Sequence, residues 1–160
     1  MPFELPRVPE DVAIIAYAAG IIDGEGCISS SIRRREDGRL ANVVRVHVTM
    51  CTARVPRWLQ DNFGGSLHRY PAYGRQGTSR RERDVWALSG RRAAPFLEAI
   101  LPYLKEKQDQ ARIALEIISM LGRWGGNLRR TPLDEEQKRI ALSDQLKRMK
   151  TEGMNPLRIQ

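Results

Sequence analysis

The nonapeptide Ala-Ala-Gly-Ile-Ile-Asp-Gly-Glu-Gly, residues 18–26, begins as helix and ends as a carboxylate on a glycine-flanked turn. Upstream of it Val12, Ile14, Ile15 and Tyr17 join Ala18, Ile21 and Ile22 in a helical pattern, over 11–23, that is apolar on more than one face. Ala16, Ala19 and Gly20 add a small-residue surface at helical spacing, where another backbone can come close. Gly24 and Gly26 are expected to stop the helix, since glycine tolerates the turn conformations of a helix exit. Asp23 and Glu25 sit at that exit, where acids oppose the negative end of the helix dipole. An oxygen-seeking divalent cation is one way to compensate them.

A chain of 160 residues is long enough for one domain with its own core. It carries no apolar run of membrane-spanning length, and residues 1–12 lack the basic-then-apolar order of a secretion signal. The expected location is therefore intracellular, in a cytoplasm or an organellar matrix, with no membrane partner. Cys27 and Cys51 have no metal-ligand spacing and make no disulfide framework, so both are expected as reduced core or strand residues.

The net charge of +8 favours a polyanionic partner. Its distribution says more than its total. Residues 1–27 hold one Arg against five acids, 28–92 hold fourteen Arg against five acids, and 93–160 hold twelve basic against nine acidic residues. Every basic side chain in the middle segment is Arg, the residue that grips phosphate and guanine through two parallel hydrogen bonds.

Two strands are predicted near 27–35 and 41–50, joined by Glu36-Asp37-Gly38-Arg39, a hairpin signal. In the second, Val44, Val46 and Val48 alternate with Arg45, His47 and Thr49; in the first, Ile28 and Ile32 oppose Ser29, Ser31, Arg33 and Arg35. The ribbon thus has one apolar face and one polar face suited to a DNA major groove. Thr52 is a candidate N-cap for a helix over 53–63 that points Trp58, Leu59 and Phe63 inward and ends at Gly64-Gly65. A second hairpin, 66–72 and 80–89, turns Trp86 and Leu88 inward and His68, Tyr70, Arg81, Arg83 and Val85 outward, around a Gly- and Arg-rich loop at 72–79. Helices are predicted over 91–103 and 105–121, then a loop at Gly125-Gly126, a last helix over 133–150 and a frayed end near Pro156. The pattern is α+β with one mostly antiparallel sheet.

Residues 18–26 resemble the LAGLIDADG motif of homing endonucleases: Ala19, Gly20, Ile22, Asp23 and Gly26 match letter for letter, and Ala18, Ile21, Gly24 and Glu25 depart conservatively. Residues 103–111, Tyr-Leu-Lys-Glu-Lys-Gln-Asp-Gln-Ala, resemble the family's fLklKqkQa segment at the expected distance after the second hairpin. The element order resembles the family's αββαββα core with its DNA-binding sheet saddle, here over about 10–122 of a single 1–160 domain, followed by a C-terminal helical extension at about 132–150.

The resemblance implies a site-specific double-strand DNA endonuclease that uses Mg²⁺, two or more ions per dimer. Mn²⁺ is an expected substitute, and Ca²⁺ is expected to bind without turnover. It implies Glu25 as metal ligand with the Gly24 carbonyl, and Lys107 near the scissile phosphate, with Lys105 as the competing lysine. It places Thr52 where relatives often carry a water-binding Gln, and Pro56 where they carry a second basic residue, for which Arg54 or Arg57 are neighbouring candidates. The contacts with double-stranded DNA are expected from Ser29, Ser31, Arg33, Arg35, Arg45, His47, Thr49, His68, Tyr70, Arg81 and Arg83, with no small-molecule substrate. One motif copy implies a homodimer packed through Ala16, Ala19, Gly20 and Asp23 on a near-palindromic target. The departures at Thr52 and Pro56 are also what a catalytically weakened DNA- or RNA-binding relative, a regulator or maturase, would carry.

Overall fold

A computed structural model describes residues 7–72, 81–121 and 132–153. The loop expected at 72–79, apart from Ala72, the Gly125-Gly126 loop and the end near Pro156 lie outside the described residues. In chain order the elements are α1 (Val12–Glu25), β1 (Gly26–Arg34), β2 (Leu40–Met50), α2 (Arg54–Phe63), β3 (Ser66–Tyr70), β4 (Arg83–Ser89), α3 (Ala93–Ile100), α4 (Gln108–Met120) and α5 (Leu133–Gly153). The strands form one antiparallel sheet of order β1-β2-β4-β3. Short 3-10 turns at Gly90–Arg92 and Leu101–Tyr103 bracket α3, so the helix expected over 91–103 is three pieces.

Asp11 starts α1 by accepting a 2.8 Å hydrogen bond from the Ala13 amide, which satisfies one of the orphan donors of the first turn. The helix runs two residues beyond the expected 11–23, through Gly24, and hands over directly to β1. Gly26 is extended (φ −78°, ψ 156°), so its lack of a side chain is not used for a left-handed turn. It is used for space: a Cβ there would stand 2.6 Å from Ile22 Cα and 2.8 Å from its carbonyl oxygen. The expected use of glycine at Gly24 and Gly26 as helix stops is corrected on both counts.

Thr52 does not cap α2. The cap position is Ala53, in helical conformation with no side-chain hydrogen bond, and Thr52 stands exposed one residue upstream. Pro56 is buried in the first turn, where its missing N–H forfeits no intrahelical bond. Gly64 (φ 67°) and Gly65 (φ 95°) do terminate the helix in left-handed conformations, as the dipeptide implies.

The strand parity holds. Val44, Val46 and Val48 are wholly buried, with Ile28, Trp86 and Leu88 beside them on the helix-covered face. Trp86 packs edge-on against Phe96 at 5.2 Å, Phe96 against Phe63 at 4.9 Å, and the indole N–H donates to the Gly64 carbonyl at 2.7 Å. An aromatic cluster of this kind carries the core beyond its area alone, and the indole nitrogen is not left unpaired. On the opposite face Ser29 pairs with Arg45, Cys27 with His47, Thr49 with Val85, and Tyr70 with Arg83. Val85 points outward as expected yet is buried, because β4 lies between β2 and β3 and their side chains close over it. Arg35 and Arg81 lie outside the strands, in the hairpin turn and just before β4.

One part of the apolar face is polar. Ser30 and Asn42 are buried on the core side, bonded to each other at 2.7 Å and to Ser143 of α5 at 2.8 and 3.2 Å. Buried polar groups must be paired, and this network pairs them while fixing where α5 lies. Leu146 adds a fully buried apolar contact one turn on, and Lys138 bridges to Glu116 of α4 at 2.8 Å. Cys51, expected in a core or strand, is exposed just after β2; Cys27 is half-buried in β1.

Candidate active site and nucleic-acid interface

The junction of α1 with β1 meets the turn before α4 in a reciprocal clasp. The Asp23 carboxylate accepts three backbone N–H groups, from Lys105 at 2.7 Å, Glu106 at 3.2 Å and Lys107 at 3.0 Å. In return Lys107 Nζ donates to the carbonyl oxygens of Ile22 at 2.7 Å and Asp23 at 2.6 Å, in the last turn of α1. A cation at a helix C-terminus is favourable, and this one adds a donor to the Ile22 carbonyl, which also accepts the Gly26 N–H, and to the Asp23 carbonyl. Of the two acids at the helix exit, Asp23 is thus compensated within the chain by amides, and the helix dipole by Lys107. The clasp also explains why α4 starts at Gln108: residues 105–107 are held as a turn by Asp23.

Glu25 is not part of the clasp. It is exposed, and its carboxylate makes no hydrogen bond or ion pair among the described residues. It opens onto a pocket of about 480 Å³ shared with Lys107, Gln110, Cys27 and, from the far end of α5, Met149 and Lys150. Burial holds the Lys107 pKa below the ordinary lysine value, against the opposing pull of Asp23, Cys27, Glu25 and Glu106. An ammonium has three donors, and the α1 carbonyls take two, so one remains for the pocket.

Among the described residues no cluster of three or more His, Cys, Asp or Glu could hold a metal ion unaided. The donors that are present fit a hard divalent cation: a free carboxylate at Glu25 and, with Lys107 occupying the two carbonyls before it, the backbone oxygen of Gly24. Water, phosphate oxygens or a second protomer would have to complete six ligands.

The pocket separates the expected site residues. It includes Glu25, Gly24, Asp23 and Lys107. Lys105 is exposed and reaches the clasp through its backbone alone. Thr52, Arg54 and Arg57 do not line it, and Pro56 is buried in the core. Gln110 and Lys150 were not expected; Gln110 lies in the quoted 103–111 segment, whereas nothing local to residue 150 signals its place in space.

The outer sheet face begins at this pocket. Ser31, Arg33, Arg45, Thr49, His68 and Tyr70 are exposed on it, and Arg83 stacks its guanidinium 5.5 Å from the Tyr70 ring centre. Ser29 is half-buried and donates to the Arg45 carbonyl at 3.3 Å. Burial, then Arg45, then Lys150 lower the pKa of His47, so the imidazole is neutral at pH 7, and its Nδ1 is buried without a partner among the described residues.

On α1, Ala16 and Gly20 are exposed, together with Ala13, Tyr17 and Gly24 at helical spacing. Ala19, expected at a dimer face, is fully buried inside the protomer, because the opposite stripe of α1 packs on the sheet and α3. Asp23 spends its carboxylate on its own chain.

Over 110 residues the chain is 32% identical to the DNA endonuclease I-CvuI of Chlorella vulgaris, an alignment spanning 66% of this chain and 64% of that protein. In sequence the chain is similar to a DNA endonuclease, and in fold to the homing endonucleases. No family model matches it. Among solved structures, I-CvuI in complex with its target in the presence of calcium superposes with a TM-score of 0.67 at 23% identity, covering 86% of this chain and 82% of that one. The archaeal intron-encoded homing endonuclease I-Vdi141I, complexed with DNA, gives 0.65 at 18% identity, covering 84% and 82%. The group I intron-encoded I-CeuI, complexed with DNA, gives 0.61 at 15% identity, covering 88% and 69%. At these identities the structural likenesses establish the fold; I-CvuI has also been seen with magnesium and uncleaved DNA. No helix among the described residues is long and apolar enough to cross a membrane.

Proposed function

We propose that this chain is a site-specific DNA endonuclease that hydrolyses phosphodiesters with divalent metal ions as a homodimer on a near-palindromic target. The observation that carries the reading is an unpartnered Glu25 beside Lys107, in a pocket at the edge of an arginine-bearing antiparallel sheet face. Glu25 and the Gly24 carbonyl would hold the ion, Mg²⁺ in the first instance. When bound, that ion supplies an activated water and neutralises charge on the phosphate. Lys107 keeps one donor for the pocket and stabilises negative charge developing on the phosphate oxygens. The clasp holds it rigid, so no reorganisation is needed as that charge appears. Arg33, Arg45, Arg83 and His47 read or grip the duplex from the sheet, with Arg35 and Arg81 at its ends.

The dimer reading rests on the exposed stripe of Ala13, Ala16, Tyr17, Gly20 and Gly24, small and apolar along one helix. Two copies joined there would present two Glu25 carboxylates, one for each strand, and two sheet faces related by a two-fold axis.

A second reading is favoured by Thr52 standing outside the pocket and Pro56 lying in the core: binding of DNA or RNA without cleavage. Incubation of the protein and Mg²⁺ with a randomised duplex library, followed by sequencing of cut ends, decides between them. Recovery of one two-fold-symmetric cut site supports the endonuclease. Enrichment of bound but uncut duplexes supports the second reading.

A further inference from the structure

Three features outside the clasp compete for a role. The cleft between α4 and α5 sets Glu116, Asp134 and Glu135 beside Lys138, which already bridges to Glu116 at 2.8 Å, and the cleft beside Arg91 already has that guanidinium on the Leu121 carbonyl at 3.0 Å. The end of α5 is different, because it reaches the candidate active site.

We propose that Lys150 binds the scissile phosphate, supplying from α5 the cation that Pro56 cannot supply from α2. The inference rests on the endonuclease reading above and deepens it. Its basis is placement. Ser143, Leu146 and Lys150 stand at i, i+3 and i+7, a single stripe of α5. Ser143 is fully buried in the network with Ser30 and Asn42, and Leu146 is fully buried beside it. The same stripe therefore turns Lys150 inward, two turns and about 10 Å further on. There it lines the pocket with Glu25 and Lys107, and it makes no hydrogen bond or ion pair among the described residues.

The pocket also includes Cys27, which pairs with His47 on the outer face of the sheet, so Lys150 shares a cavity with the edge of the proposed DNA surface. Lys107 has two of its donors committed to α1, whereas Lys150 has all three available for phosphate oxygens. Arg54 and Arg57, the basic neighbours of Pro56, are exposed and outside the pocket. The role is binding and charge stabilisation of the anionic phosphate, with no proton transferred by Lys150.

The test compares wild type, Lys150→Met and Lys150→Arg as full chains on the duplex selected from the randomised library. Two quantities are read: the single-turnover cleavage rate with Mg²⁺ at saturating protein, and the slope of log affinity against log salt in metal-free buffer. Lys150→Met should cut about 100–1,000-fold more slowly and flatten the slope by about 0.9 per protomer. Lys150→Arg should restore the slope and most of the rate. Thermal melting shows whether the substitutions disturb α5; should Lys150→Met melt early, Lys150→Gln takes its place. A normal rate with an unchanged slope overturns the proposal, while wild type that binds and cuts leaves the endonuclease reading intact. A flattened slope with a normal rate also overturns it, since Lys150 then touches some other phosphate. A slowed rate with an unchanged slope excludes phosphate contact. Wild type that binds but does not cut removes the endonuclease reading and with it the scissile assignment. Wild type that binds no duplex removes both.

Discussion

Removing the Asp23 carboxylate is the sharpest structural perturbation the clasp offers. Asp23→Ala leaves three backbone N–H groups, at 2.7, 3.2 and 3.0 Å from it, without their acceptor. Hydrogen bonds to a charged group contribute about 1.5–3 kcal/mol each when buried. These bonds are solvent-accessible, so water takes over part of the role, and a total of about 2–4 kcal/mol is expected. For a chain of this size that lowers the melting midpoint by about 5–15 °C. The loss should be local as well as global. Amides of Lys105, Glu106 and Lys107 should exchange with deuterium much faster, while exchange in the core strand β2 speeds up only by the loss of global stability. Lys107 also loses the charge that opposes its burial, so its pKa should fall further. Denaturation and hydrogen exchange on the two proteins decide it. An unchanged midpoint with unchanged exchange at residues 105–107 would refute the clasp as the element that holds Lys107 in place.

Two further outcomes are expected. Gly20→Leu should leave the protomer folded, since a side chain there meets nothing within 4 Å inside the chain, yet sedimentation should find monomers and cleavage should vanish; a dimer of normal affinity would remove α1 from the proposed interface. The His47 pKa lies below 6.5, so the unfolded chain takes up its proton first, and stability should be lost as pH falls through 6.5 towards the folded pKa; urea midpoints at pH 8 and pH 5 should differ less in His47→Gln than in wild type, and equal differences would contradict the burial of that imidazole.

The first half of the chain was legible because its signals are local and periodic. Alternation in β2 gives the buried valines and the exposed Arg45 and Thr49 directly, and Asp37-Gly38 gives the turn, with Gly38 at φ 77°. Glu25 and Lys107 were legible through the two motifs, although 82 residues separate them. What failed were judgements that depend on a partner surface. Ala16, Ala19 and Gly20 have equal claim to an open face by size, and packing against the sheet and α3 is what buries Ala19. Ser30 has the parity of a core position and the chemistry of a surface one; Ser143, far away in sequence, resolves the conflict. Thr52 has the chemistry of a cap, but the chain bends after β2 and enters helix one residue later. Lys150 belongs to the same class, since its place depends on where the Ser30–Asn42–Ser143 network sets α5 down.

If Glu25 holds a divalent cation for DNA cleavage, removing its charge alone should stop the reaction. Glu25→Gln keeps the shape of the side chain and removes the charge that the ion needs. Measured on the selected duplex with Mg²⁺, the variant should lose cleavage by more than the ~10–100-fold carried by outer partners of a metal site. It should still bind the duplex within about threefold of wild type in metal-free buffer, because phosphate contacts dominate affinity. Near-normal cleavage by Glu25→Gln, with binding unchanged, would mean that Glu25 holds no catalytic ion.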